Sequence, residues 1–133
     1  GGHRLPAGIN VPPNVKLIPP VPYDELVTIY NRHEFYFQVS IAEGFPNALC
    51  EAMLCGCIPI GSHVAAIPLI VAGAGFILNK REVSELEKLI SVAASADKKF
   101  LSAQSHARIA ENFPLELREL KLMQLISSLT SLA

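Results

Sequence analysis

No run of about 18 uncharged apolar residues occurs in this 133-residue sequence, so no segment predicts a membrane-spanning helix. The most apolar stretch, 58–78, is interrupted by His63, by Pro59 and Pro68, and by three glycines. The start GGHRLPAGINVPP has no apolar h-region, so no secretory signal is expected there. Excess charge of either sign is missing too. The formal net charge is −1, with 4 basic and 5 acidic residues in 1–80 and 7 of each in 81–133. That balance argues against nucleic acid or an anionic lipid surface as a partner held by bulk electrostatics. The three cysteines, Cys50, Cys55 and Cys57, make neither a disulfide framework nor a usual zinc spacing. They read as small buried hydrophobes of a reducing compartment. The four histidines have no partner at metal-ligand spacing. G-x-S-x-G, G-x-G-x-x-G and the P-loop pattern are all absent.

Half of the residues are hydrophobic, ample for a core, and the length suits one domain. "NVKLIPPV" (14–21) predicts a short strand ended by prolines, and "PYDELVTIYNRH" (22–33) a helix with Leu26, Ile29 and Tyr30 at helical spacing. "FYFQVS" (35–40), "CIPIGS" (57–62) and "GFIL" (75–78) predict strands. The last two are apolar at successive positions, as in a parallel sheet covered on both faces. "PNALCEAMLC" (46–55) predicts a helix with proline in its first turn and Gly56 just past its end. Three apolar stripes at helical period follow over 82–95, 97–112 and 115–131. Alternating strand and helix predicts an α/β fold with a partial Rossmann-like, doubly wound parallel sheet over 14–91. A helical tail occupies 92–133.

The segment "SIAEGFPNALCEAMLCG" (40–56) carries the chemistry. A helix starting at Pro46 leaves free N–H groups around Phe45–Leu49, with roughly half a unit of positive charge, at the carboxyl end of a strand. That is a natural phosphate position. Gly44 has no Cβ and lets a ligand approach the backbone. Glu43 lies in the strand-to-helix loop, and Glu51 sits about a turn and a half into the helix, off the Leu49–Met53–Cys57 stripe. A carboxylate accepts from two neighbouring hydroxyls. Two of them flanking an anion site suit neutral polyols on either side of a diphosphate, the layout of a nucleotide-sugar. On the residues alone two other readings stay open: Glu43 as partner of the helix dipole, and Glu51 as a solvated helix residue.

The Glu43–seven residues–Glu51 pattern, with the strand and helix order around it, resembles the retaining, nucleotide-sugar-dependent glycosyltransferases of family 4, which have the GT-B fold. The resemblance covers roughly 14–91 and implies the C-terminal, donor-binding half of such an enzyme, a hexosyltransferase serving polysaccharide or glycoconjugate synthesis. It implies that Glu43 contacts the donor sugar in the catalytic position and that Glu51 holds the ribose hydroxyls. Gly44, Phe45, Pro46 and Asn47 would lie along the sugar and diphosphate, and Val21 near the nucleobase. It further implies no metal or other cofactor, a saccharide or lipid-linked acceptor, and a cytoplasmic site, in part at the inner face of a membrane. It implies part of a longer or split enzyme, in which an N-terminal acceptor domain absent from these residues, or a partner chain, would complete the cleft, so that this chain alone is expected to be inactive. Rival readings are another GT-B enzyme, such as a nucleotide-sugar epimerase, and a non-catalytic module binding a nucleotide-sugar or a protein.

The sequence departs from the family at Pro19, at Ala65-Ala66 and at Leu69, where glycine, a glycine pair and glutamate are usual. No Lys or Arg lies between Arg32 and Lys80, so the cations that would neutralise a diphosphate are expected from elsewhere. The strand at 35–40 is expected to lack one neighbour and to invite self-association through its edge.

Overall fold

The computed structural model describes residues 10–114 together with 116, 117, 120, 121, 123, 124 and 127. Helix α1 (Tyr23–Tyr30) leads into strand β1 (Phe35–Gln38). Then come α2 (Asn47–Leu54), β2 (Ile58–Ser62), α3 (Ile67–Val71), β3 (Phe76–Leu78), α4 (Val83–Ser95) and α5 (Lys98–Asn112). The strands form one parallel sheet in the order β1-β2-β3. Tyr36 stands opposite Pro59 and Gln38 opposite Gly61, while Gly61 stands opposite Ile77. The α/β architecture expected from the sequence is present. The stripe expected over 115–131 falls largely outside the described residues, and those described beyond Pro114 are helical.

Burial explains why the central strand has no polar alternation. Every residue of β2 is buried, and its neighbours on both sides supply the ladder. One core joins Leu49 and Met53 of α2 to Ile67, Ile70 and Val71 of α3 and Ile109 of α5, with Tyr36 and Ile77 packed against it. The period-2 rule puts Tyr36, Gln38, Gly61 and Ile77 on this same face. Gly61 is required there, because an added Cβ would collide with the Ile67 side chain. A smaller cluster holds Tyr30, Ala52 and Cys57 together, with the Tyr30 and Tyr36 rings edge to face at 5.8 Å.

α5, assigned by sequence to the tail, packs against α2, α3 and β2. Besides Ile109, which enters the core, polar groups fasten it. Ser105 Oγ donates to the Cys57 carbonyl at 2.6 Å, and His106 Nδ1 bonds the Leu54 carbonyl at 2.6 Å. Arg108 donates to the Leu69 and Ile70 carbonyls at 2.7 and 3.2 Å. His106 and Arg108 thus serve carbonyls in the last turns of α2 and α3, groups a helix cannot satisfy internally. Asp97 caps α5 itself by accepting from Phe100 N at 3.0 Å.

Two sequence expectations are corrected. Residues 14–21 form no strand, and Val15, Leu17 and Ile18 are exposed. A strand exists only with a ladder partner. Pro19 and Pro20 have no N–H to give, and the segment pairs with none of the described strands, although the outer edge of β1 is open. The short helix α3 was not expected. Its signals were Pro68 in the first turn and a left-handed end at Ala72 (φ 37°) and Gly73 (φ 86°). An apolar 58–78 stretch hid them. Among the described residues β1 has no partner on its outer edge, where Phe37 is 47% exposed, so the expected missing neighbour is a feature of the structure.

The Ala65-Ala66 departure has a backbone consequence. Ala65 sits at φ 47°, in the left-handed region that glycine adopts freely and a Cβ disfavours. Ala65→Gly is expected to raise stability by up to about 1 kcal/mol, the left-handed penalty less the entropy glycine gives the unfolded chain. Urea denaturation measures it, and a loss of stability would show that the Ala65 Cβ makes a favourable contact.

Candidate functional site

The site is built at the carboxyl end of β1, where the chain turns into α2. Gly44, Phe45 and Asn47 are exposed there, and Pro46 is buried. An added Cβ on Gly44 would meet nothing within 4 Å, so the backbone is open to a ligand on that side. Pro46 is the N-cap rather than the first helical residue, in extended backbone at φ −77°, ψ 95°. No side chain caps α2, and its first turn contains no acid. The positive end of α2 is therefore left uncompensated by its own residues.

Glu43 is held by a short relay. The Tyr36 hydroxyl donates to Gln38 Oε1 at 3.0 Å. Gln38 Nε2 donates to Ser40 Oγ and to Glu43 Oε1, both at 2.8 Å. Ser40 Oγ also donates to Glu43 Oε1 at 2.8 Å. Behind the loop, the fully buried Ser62 at the end of β2 donates to the Ser40 carbonyl at 2.8 Å. One oxygen of Glu43 is thus doubly engaged, and among the described residues no donor reaches the other.

Glu51 opens onto a groove of about 860 Å³ between α2 and the end of α5. Asn47, Cys50, Glu51 and Leu54, at helical spacing, form one wall, and Phe45 lies at its end. Phe113, Pro114, Leu117 and Lys121 contribute to the lining from beyond α5. Phe113 tilts against Phe45 at 5.9 Å between centroids, and Arg108 covers it at 5.3 Å. Glu43 is not part of this lining. Burial pushes the Tyr36 phenol up, and the charges of Glu43 and then Glu51 push it up further. Burial, then Tyr36 and Glu51, likewise holds Tyr30 at about 12. Both phenols therefore keep their proton at ordinary pH.

Phe45, Asn47 and Glu51 thus line one groove, while Glu43 and Gly44 lie in the loop just before Phe45, outside that lining. Val21 is elsewhere, in a separate depression with Ile18, Leu26 and Tyr30. Sequence reading missed Gln38, Tyr36 and Ser40. The signal was present, a lone glutamine ending an aromatic strand. It also missed Lys121, a cation from far along the chain on the groove of Glu51. His63 is exposed beyond β2, and Leu69, in the place of the usual glutamate, is 64% exposed on α3. The thiols are not poised as nucleophiles. Burial raises all three, with Glu51 adding to the effect at Cys50 and Cys55, and Cys57 reaches about 11. Among the described residues there is no group of three or more metal-ligating side chains, and no helix is long and apolar enough to cross a membrane.

Comparison with known proteins identifies the fold and the family. The serotype-specific mannosyltransferase WbdA of Escherichia coli is 25% identical over 84 residues, which is 63% of this chain and 10% of the relative. The chain thus spans about a tenth of the length of the curated relatives it matches. Sucrose-phosphate synthase from Thermosynechococcus elongatus superposes with a TM-score of 0.72 at 21% sequence identity, over 85% of this chain and 29% of that one. This likeness shows the fold, a GT-B type α/β arrangement. The profile of the glycosyl transferases group 1 matches residues 6–117, and the chain belongs to that family.

Proposed function

We propose that this chain is the donor-binding part of a retaining glycosyltransferase that takes a hexosyl group from a nucleotide-sugar and passes it to a hydroxyl acceptor. The observation that carries the reading is the uncapped amino end of α2 with Glu43 held in the loop before it and Glu51 open to the groove along it. The donor's diphosphate would lie over the first-turn amides of α2. Glu43 would accept from hydroxyls of the sugar through its free oxygen, and Glu51 from the ribose hydroxyls. As the bond from the anomeric carbon to the phosphate oxygen breaks, its electron pair leaves with the diphosphate, the acceptor oxygen bonds to the anomeric carbon, and the acceptor's hydroxyl proton passes to the departing phosphate oxygen. The helix terminus and nearby cations then face the growing negative charge, with no metal invoked. A diphosphate carries about two charges against about half a unit from the helix, so a cation must assist. Lys121 is the candidate the groove supplies.

The relative's name makes a nucleotide-linked mannose the first donor to test. The same reading proposes a saccharide or lipid-linked acceptor, an N-terminal acceptor domain or partner chain over the site, and cytoplasmic action, in part at the membrane's inner face. Self-association would run through the open edge of β1. Titration calorimetry with UDP, GDP and their sugars tests the donor assignment. Glu51→Ala is expected to weaken nucleotide binding about tenfold, the effect of losing one or two hydroxyl bonds to a charged acceptor. Nucleotide affinity unchanged in that variant would remove Glu51 from the site.

A further inference from the structure

Gln38 is an amide at the last position of an otherwise aromatic strand, on the face it shares with Tyr36. A glutamine there costs burial that an apolar residue would not, unless its polar atoms are used. They are used completely. Its oxygen accepts from the Tyr36 hydroxyl, and its two N–H groups reach Ser40 Oγ and Glu43 Oε1. Every donor in this network points the same way, from Tyr36 through Gln38 and Ser40 into one oxygen of Glu43. Such a chain polarises itself in one direction and fixes the rotamer of the group at its end. Its end is a carboxylate with two donors on Oε1. The orientation of Oε2 is thereby set, and Oε2 remains available to a ligand hydroxyl.

We propose that Gln38, oriented by Tyr36, is the positioning residue that aims Glu43 at the donor sugar and so sets how strongly the site distinguishes a nucleotide-sugar from the bare nucleotide. The inference rests on the donor reading above and adds the residue that gives Glu43 its geometry. Gln38 touches no ligand in this scheme. Its effect is transmitted through Glu43 alone, with Ser40 as the second strut and Ser62 fixing the loop backbone behind it.

The test is calorimetry on the whole chain with UDP, GDP, UDP-glucose and GDP-mannose as probes. Gln38→Met keeps the bulk of the side chain and removes both functions. It is expected to lower the nucleotide-sugar to nucleotide affinity ratio of the preferred pair by about tenfold, the worth of one charge-assisted hydrogen bond. Bare nucleotide affinity stays within about twofold, which a merely structural disturbance of the loop would not respect. Gln38→Glu, the same shape with a repelling carboxylate, lowers the ratio at least as far. In a Glu43→Gln background Gln38→Met no longer changes it, because the relay then has no charge to aim. Should Gln38→Met fail to fold, Tyr36→Phe keeps the ring in the core and cuts the outer link. It is expected to give a partial loss of the same ratio. A wild-type preference that persists undiminished in Gln38→Met, or in Tyr36→Phe where that variant is the one tested, overturns the relay and leaves the donor reading standing. A wild-type chain with no preference for either sugar over its nucleotide overturns the donor reading itself, and this is read before any variant is made.

Discussion

In an enzyme completed by the proposed acceptor domain, Glu43→Gln is expected to cut sugar transfer by about a hundredfold or more while nucleotide affinity changes less than about threefold, because bonds to sugar hydroxyls that strengthen in the transition state are worth several kcal/mol. The substitution is nearly isosteric. The amide oxygen of the new glutamine can still accept from Gln38 Nε2 and Ser40 Oγ, both now 2.8 Å from Glu43 Oε1, so the loop keeps its fold. What disappears is the charge together with the free oxygen, whose place an NH2 donor takes. Initial rates with a nucleotide-sugar and a saccharide acceptor, set beside nucleotide titrations, separate the two effects. A control comes from Tyr36, whose ionisation the Glu43 charge disfavours. Removing that charge brings the phenol pKa down, and phenolate absorbance follows it. Equal losses in rate and nucleotide affinity would instead make Glu43 a general support of the loop.

Leu49→Ala is the second large effect, and it acts through packing. Leu49 is fully buried on the inner face of α2 against Met53, Ile67, Ile70, Val71 and Ile109. Truncation at such a site costs about 3–5 kcal/mol, the transfer energy of the lost carbons plus the cavity left behind. A small α/β unit has only about 5–15 kcal/mol of total stability, so the variant should melt far below the wild type or fail to fold at ordinary temperature. Urea unfolding followed by circular dichroism measures the loss. A cost below about 1 kcal/mol would mean that the α2–α3–α5 core is not packed as described.

The contrast between these two positions shows what the sequence could and could not convey. Leu49 and Met53 are legible as a helical stripe, since burial follows a period that any reader can count. Pro46 and Gly56 mark the ends of the same helix, with Gly56 at φ 84° as a left-handed stop demands. The two glutamates and their loop follow from these marks. Gln38 carries no such period. Its role depends on Tyr36, Ser40 and Glu43 meeting at one end of β1, which only the turn into α2 decides. Lys121 reaches the groove through α5, and α5 is fastened by His106 and Arg108 to carbonyls of α2 and α3. Contacts of that kind join residues tens of positions apart and leave no local trace. The 14–21 segment failed for a related reason. Its composition suits a strand, but a strand is a property of two segments, and this one, with no N–H at Pro19 or Pro20, pairs with none of the described strands.

The most direct test of the central claim is an amide NMR titration of the chain with GDP-mannose and UDP-glucose. The account predicts that the preferred donor shifts the amides of residues 43–51 first and most, with Gly44, Phe45 and Asn47 leading, and that bare nucleotide leaves Glu43 and Gly44 less perturbed. Shifts concentrated around Val21 and Ile29, with the amino end of α2 unmoved, would contradict it.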